Sequence, residues 1–110
     1  MNRYITEMGM GVDVHGGDYT KAAKRAVSDA LRHSSLNFFR VLDKRVEDMY
    51  VTVRLGAQQP EQIDVAAVAA EVPYGTVTVE PVAGGLDVTA QGASDTMVIV
   101  NAAILVHFDD

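Results

Sequence analysis

The chain is 110 residues long, 48% hydrophobic and 22% charged, with 15 acidic residues against nine basic ones and a net charge of −6. That length accommodates one α+β domain over residues 1–110, with apolar content sufficient for a small core. The acidic balance argues against nucleic acid or a membrane surface as partner, and the absence of cysteine excludes disulfides, thiolate metal sites and a cysteine nucleophile.

Residues 3–12 alternate loosely through Tyr4, Ile5, Met8 and Met10, which predicts a first strand ending near Gly9 or Gly11. A glycine-dense turn follows, with Gly9, Gly11, Gly16 and Gly17 close together. Asp18 or Thr20 then caps a helix running to about His33, whose apolar stripe is Ala22, Ala23, Ala26, Val27, Ala30 and Leu31. Leu36, Phe38, Phe39, Val41 and Leu42 fit either another helical turn or a packed connection. Met49 to Leu55 alternates as a half-buried strand, and Gly56 to Pro60 breaks it. Asp64 caps a short second helix over Val65 to Val72, ended by Pro73-Tyr74-Gly75. A strand over Gly75 to Val82 meets the Gly84-Gly85 hairpin signal, with Leu86 to Thr89 expected as its returning partner. Gln91 to Thr96 reads as a polar loop, and Met97 to Phe108 is apolar on both faces, as in a central strand.

The order is thus β-α-β-α-β-β-β, and the expected fold is one mixed or antiparallel sheet of about five strands with two helices on one face. Two helices leave the second face of such a sheet open. The simplest cover is another copy of the chain, so a homo-oligomer is expected. No basic start followed by an apolar run marks a signal peptide, and no stretch reaches the roughly 18 apolar residues of a membrane span, which makes the cytoplasm the expected location.

Chemistry concentrates in Gly9-Met10-Gly11-Val12-Asp13-Val14-His15-Gly16-Gly17-Asp18. In extended backbone, residues two apart share a side, so Asp13 and His15 are expected to project together. Such a pair can ligate a divalent metal or work as a base with its orienting partner. Without cysteine the metal shell is N and O only, which suits Zn, Mn, Fe or Ni, with His33, His107 or a neighbouring chain completing it. Gly9, Gly11 and Gly16 would let a ligand or a neighbouring subunit approach the backbone, and Asp18 opens a helix whose free N–H groups attract an anion. Lys21 on the first turn adds a full positive charge, so a small anionic molecule is the expected ligand. The structural alternative is that the glycines serve turn geometry, Asp13 satisfies backbone amides and His15 bonds a carbonyl. The segment lacks the third glycine of a dinucleotide fingerprint. His33 fits the role of a helix-end cap, Ser34 and Ser35 lack a nucleophile elbow, and Asn101 is an unusual polar residue within the most apolar run.

These residues resemble a family of conserved hypothetical proteins named from a listerial locus tag (Lin0512), whose members carry a GxGxDxHG signature near the N-terminus. Gly9, Gly11, Asp13, His15 and Gly16 match it without departure. The similarity continues through Asp18-Tyr19-Thr20-Lys21-Ala22-Ala23, Arg54-Leu55-Gly56, Pro73-Tyr74-Gly75, Gly84-Gly85-Leu86 and Asn101-Ala102-Ala103, while Gly17 stands where many relatives carry glutamine. The resemblance implies a ligand or catalytic role for the signature and supplies no substrate. More locally, Asp13, His15 and Asp29-Ala30-Leu31 look like methylerythritol cyclodiphosphate synthase, a trimeric enzyme that binds zinc through a DxH pair and a further histidine. That likeness implies a metal-capable pair and a trimer. The third histidine is replaced by Gly17, which argues against the same reaction.

Two function classes follow. One is a small cytosolic oligomeric enzyme acting on an anionic small molecule, with Asp13, His15 and Lys21 as its catalytic groups and Gly9, Gly11, Gly16 and Asp18 around the ligand. The other is a binding, accessory or structural oligomeric subunit that uses the same segment without turnover.

Overall fold

The computed structural model describes residues 1–32, 44–92 and 95–109. The readings on His33, Ser34, Ser35 and Leu36 to Leu42 lie outside the described residues.

Strand β1 (Asn2–Asp13) leads into helix α1 (Tyr19–Arg32), and β2 (Tyr50–Ala57) into a short helix α2 (Val65–Ala69); β3 (Thr76–Ala83), β4 (Leu86–Thr89) and β5 (Thr96–Phe108) follow. Brief 3-10 turns stand at Val46–Asp48 and Pro60–Gln62. The architecture is α+β: a five-stranded mixed sheet in the order β1-β5-β2-β3, with β4 paired to β5. β5 is the hub. It runs antiparallel to β1 on one side and antiparallel to β2 and then β4 on the other, while β2 and β3 are parallel.

The central place of β5 explains its continuous apolar sequence, although its two faces end in different environments. Val98, Val100, Ala102, Ile104, Val106 and Phe108 point into the core with Val51, Val53, Leu55 and Ala57 of β2. Both helices lie on this face. α1 packs on β1 and β5 through Ala22, Ala23, Ala26, Val27 and Ala30, all fully buried. α2 packs on β3 and α1 and inserts the fully buried Val68. Its cap is the one the sequence announces, with Asp64 Oδ1 accepting the Ala67 N–H at 3.1 Å. The Asp64 N–H donates in turn to Thr20 Oγ1 at 2.9 Å, tying the start of α2 to α1.

The first strand is longer than the sequence suggests. β1 runs through both Gly9 and Gly11 to Asp13, and these glycines are not part of the turn. A Cβ at Gly9 would lie 2.5 Å from Ala26 O and Ala30 N, and one at Gly11 would lie 2.1 Å from Ala22 O and 2.4 Å from Ala26 N. Alanines on the helix opposite glycines on the strand bring the two backbones into contact.

Leu86 to Thr89 does not fold back on β3. β2 leaves the edge of β5 at Gly56 opposite Asn101, and β4 takes over that edge at Leu86 opposite Ile99. To get there the chain crosses the end of β2. The crossing works because Gly85 adopts φ +63° and because a Cβ on it would sit 2.2 Å from Ile99 O. Gln58 Nε2 fastens it by donating to the Gly84 and Gly85 carbonyls at 2.9 and 3.2 Å. A glycine pair here serves a strand crossing, a use that hairpin statistics do not distinguish from a two-residue turn.

Among the described residues, no helix is long and apolar enough to cross a membrane.

Candidate functional site

The signature segment splits at Asp13. Up to that residue the chain is β-strand on the covered face; beyond it, Val14 to Asp18 forms the connection into α1. Gly16 and Gly17 take φ +89° and +59°, values that a side chain disfavours, so this pair does make the turn.

Asp13 is the buried charged residue of the described chain, at 2% exposure. Its Oδ2 accepts the Asp18 N–H at 2.9 Å. Its Oδ1 lies 3.6 Å from Arg25 Nη1 and 3.8 Å from Lys21 Nζ. Asp18 caps α1, with Oδ1 accepting the Lys21 N–H at 3.0 Å. The anion that the helix N-terminus attracts is therefore the chain's own Asp13, and Lys21 is drawn to that carboxylate.

His15 belongs to a different set of contacts. Its side chain is 85% exposed, and its Nδ1 lies 2.8 Å from Asp95 Oδ2. A carboxylate only accepts, so Nδ1–H donates, and in that tautomer Nε2 is the nitrogen left to accept. Asp95 also accepts the Gly16 N–H on Oδ1 at 2.9 Å. The Gly16 amide first, and then the His15 imidazole, hold the Asp95 carboxyl below its ordinary range. Asp13 and His15 thus do not converge, because the strand ends between them and the turn redirects the backbone. Among the described residues, no group of three or more histidine, aspartate or glutamate side chains is placed to hold a metal ion. His107 lies in β5 opposite Arg3 and Tyr50, far along the sheet from the turn, and Asn101 is exposed rather than buried.

Beside the turn lies a cleft of about 390 Å³ bounded by Gly16, Gly17, Tyr19, Gln59, Asp87 and Asp95 among others. Tyr19, only 4% exposed, donates its hydroxyl to Asp87 Oδ2. Burial and then the Asp87 carboxylate push the Tyr19 phenol up to about 12. The other oxygen of Asp87, Oδ1, is buried with no hydrogen-bond partner among the described residues. A smaller recess of about 120 Å³ lies on the other side of the His15–Asp95 pair, between Val14, His15, Val88, Ala90, Asp95 and Met97.

The candidate segment that the sequence singles out borders this cleft, whereas Asp95, Asp87, Tyr19 and Gln59 around it carry no local signal of a shared site. Asp95 sits in a polar loop and meets His15 across 80 residues. The one legible hint was Asp87: it alternates with Leu86 and Val88, which sets a lone carboxylate on the side of β4 opposite its two apolar neighbours.

The family model described as Conserved hypothetical protein (Lin0512_fam) matches residues 3–106. Among solved structures, the chain is similar to an FtsZ-like protein of unknown function from Nostoc punctiforme PCC 73102. The two are 35% identical, the match covers 99% of this chain and 97% of that one, and the TM-score is 0.84. No curated protein matches the sequence.

Proposed function

The chain belongs to the Lin0512 family of conserved hypothetical proteins, and from that premise we propose that it is a cytosolic protein that binds a small polar molecule in the cleft beside the Gly16-Gly17 turn, with His15 as general base and Asp95 as its positioning residue. The observation that carries this reading is the double grip of Asp95, on the His15 ring at 2.8 Å and on the Gly16 amide at 2.9 Å. A carboxylate that fixes both the ring and the backbone beneath it orients His15 at the rim, where Asp95 lines the cleft and the ring lines the smaller recess on the other side. Asp13, Lys21 and Asp18 then act at one remove, by anchoring the start of α1. Gly9 and Gly11 set the distance between α1 and β1.

The electrostatics favour a different ligand from the anion that the sequence suggests. Asp87 and Asp95 both line the cleft. The nearby cations Lys21 and Arg25 face Asp13. The buried Asp87 Oδ1 is an acceptor in want of a donor, which costs about 1–3 kcal/mol while unmet. A neutral or cationic molecule presenting N–H or O–H groups suits these walls, and the chemistry open to His15 is proton transfer.

Amide NMR with a fragment set tests the reading. Donor-bearing neutral or cationic fragments should shift the Gly16, Gly17 and Thr96 signals, carboxylate fragments should not, and Asp87→Asn should abolish the response. Shifts scattered over other surfaces, or a preference for carboxylates, would overturn it.

A further inference from the structure

The side of the sheet opposite the helices carries a continuous apolar surface. Met8 and Met10 of β1 are 67% and 52% exposed, Leu86 and Val88 of β4 are 53% and 46%, and Met97 of β5 is 36%. Register makes them neighbours: Val88 is opposite Met97, and Leu86 is opposite Ile99, which faces Val12 on the other side. Monomers rarely leave such a patch to water.

We propose that this open face is an interface between two copies of this chain. Charge is the first argument. The chain carries 15 acidic residues and a net charge of −6. Yet among the described strand residues the carboxylate on this face is Glu80, paired with Arg54 at 3.3 Å, and Asp95 at its β4 end is held by His15 at 2.8 Å. The repulsion that two such chains would feel is kept off the surface that would meet. Extent is the second. At about 3.3 Å per residue and about 4.8 Å between strands, the face measures on the order of 700 Å², close to the roughly 800 Å² that each partner contributes to a stable complex. The third argument removes the competing mode, edge-to-edge pairing through β1. The Met10 N–H donates to Asp29 Oδ2 at 3.0 Å and the Val12 carbonyl accepts from Arg25 Nη1 at 2.6 Å, so α1 side chains occupy that stretch of the strand's outer edge. Methionine side chains suit a face that must mould to its own copy.

The interface bears on the proposed site, and this step rests on that reading. The recess beside His15 is walled by Val14, Val88 and Met97, at the β4 end of the same face. A second copy seated there covers the His15–Asp95 pair and excludes water from one side of it, which strengthens its electrostatics.

Light scattering during size exclusion reads the result directly. The chain weighs 11.8 kDa, and the intact protein at micromolar concentration should elute as an assembly. Met8→Glu and Met97→Glu, both at exposed positions, should each weaken association by roughly 100-fold or more, as central interface changes do. Val65→Glu, exposed on α2 away from the face, should leave it unchanged. Circular dichroism on each variant verifies folding. An intact protein that elutes as one chain, or an assembly that both glutamate variants leave intact, would overturn the proposal. Loss of fragment binding with the assembly preserved would instead count against the cleft reading alone.

Discussion

Gly9 and Gly11 lie only a few residues before Gly16 and Gly17, in one signature, and do opposite things. The first pair sits in β1 with α1 backbone against it, and its missing side chains are filled by the helix. The second pair has positive φ, and a Cβ there would find nothing closer than 3.8 Å. The two acids divide in the same way. Asp13 is buried among two cations and an amide, while Asp95 stands at the surface holding an imidazole. The lesson is that one short motif can combine a strand pressed against a helix and an open turn, with the boundary where the strand ends.

The sharpest way to break this contrast is to fill the first pair. Gly11→Ala drives a Cβ into the Ala22 and Ala26 backbone, which cannot yield as a side chain would. It should cost about 3 kcal/mol and lower the melting temperature by more than about 10 °C. Gly17→Ala meets no close atom and carries only backbone strain, so it should cost about 1 kcal/mol. Equal losses in urea titrations would erase the distinction.

Tyr19 gives the next largest effect, at high pH. Its folded pKa of about 12 lies above the ordinary 10.0. The unfolded chain therefore releases this proton first, and the associated stability is complete below pH 10 and lost as pH rises from 10 toward 12. At about 1.4 kcal/mol per unit it amounts to about 2–3 kcal/mol. Absorbance at 295 nm should show a late phenol step that Tyr19→Phe removes, and that variant should unfold with a flatter pH dependence in this window.

Asp13→Ala should cost about 2 kcal/mol, moderated because Lys21 and Arg25 remain half exposed to water. If Asp13 worked at the cleft rather than under the helix, its loss would change fragment binding and spare stability, so the two readouts separate the roles. The smallest effect belongs to Asp95. Because its carboxyl is held low, its contribution is present above the ordinary carboxylate pKa and disappears as pH falls through the folded value. Asp95→Asn should leave the urea midpoint close to that of the parent chain while broadening the His15 ring signals in NMR. Undisturbed His15 signals would show that the grip is not what positions the ring.

Much of the fold was legible because its signals are local. The stripe from Ala22 to Leu31 repeats at helical spacing, Met49 to Leu55 alternates, and Asp64 caps the turn that immediately follows it. Each depends on neighbours within about one turn or one pleat. The candidate segment stood out for the same reason, since glycines, an acid and a histidine crowd into one stretch. The partners did not, because they come from distant parts of the chain. His15 meets Asp95 across 80 residues and Tyr19 meets Asp87 across 68, and no periodicity encodes such meetings.

By itself, then, the sequence determined where most helices and strands form and that β5 would be central. Tertiary structure alone decided that β4 continues the edge of β5, that Gly9 and Gly11 are pressed against α1, and that Asp13 and His15 part company. The physical reason is reach. Backbone preference and side-chain period act over a few residues, whereas the choice among strand edges and carboxylate partners is made by packing, when segments far apart in the chain compete for the same surface.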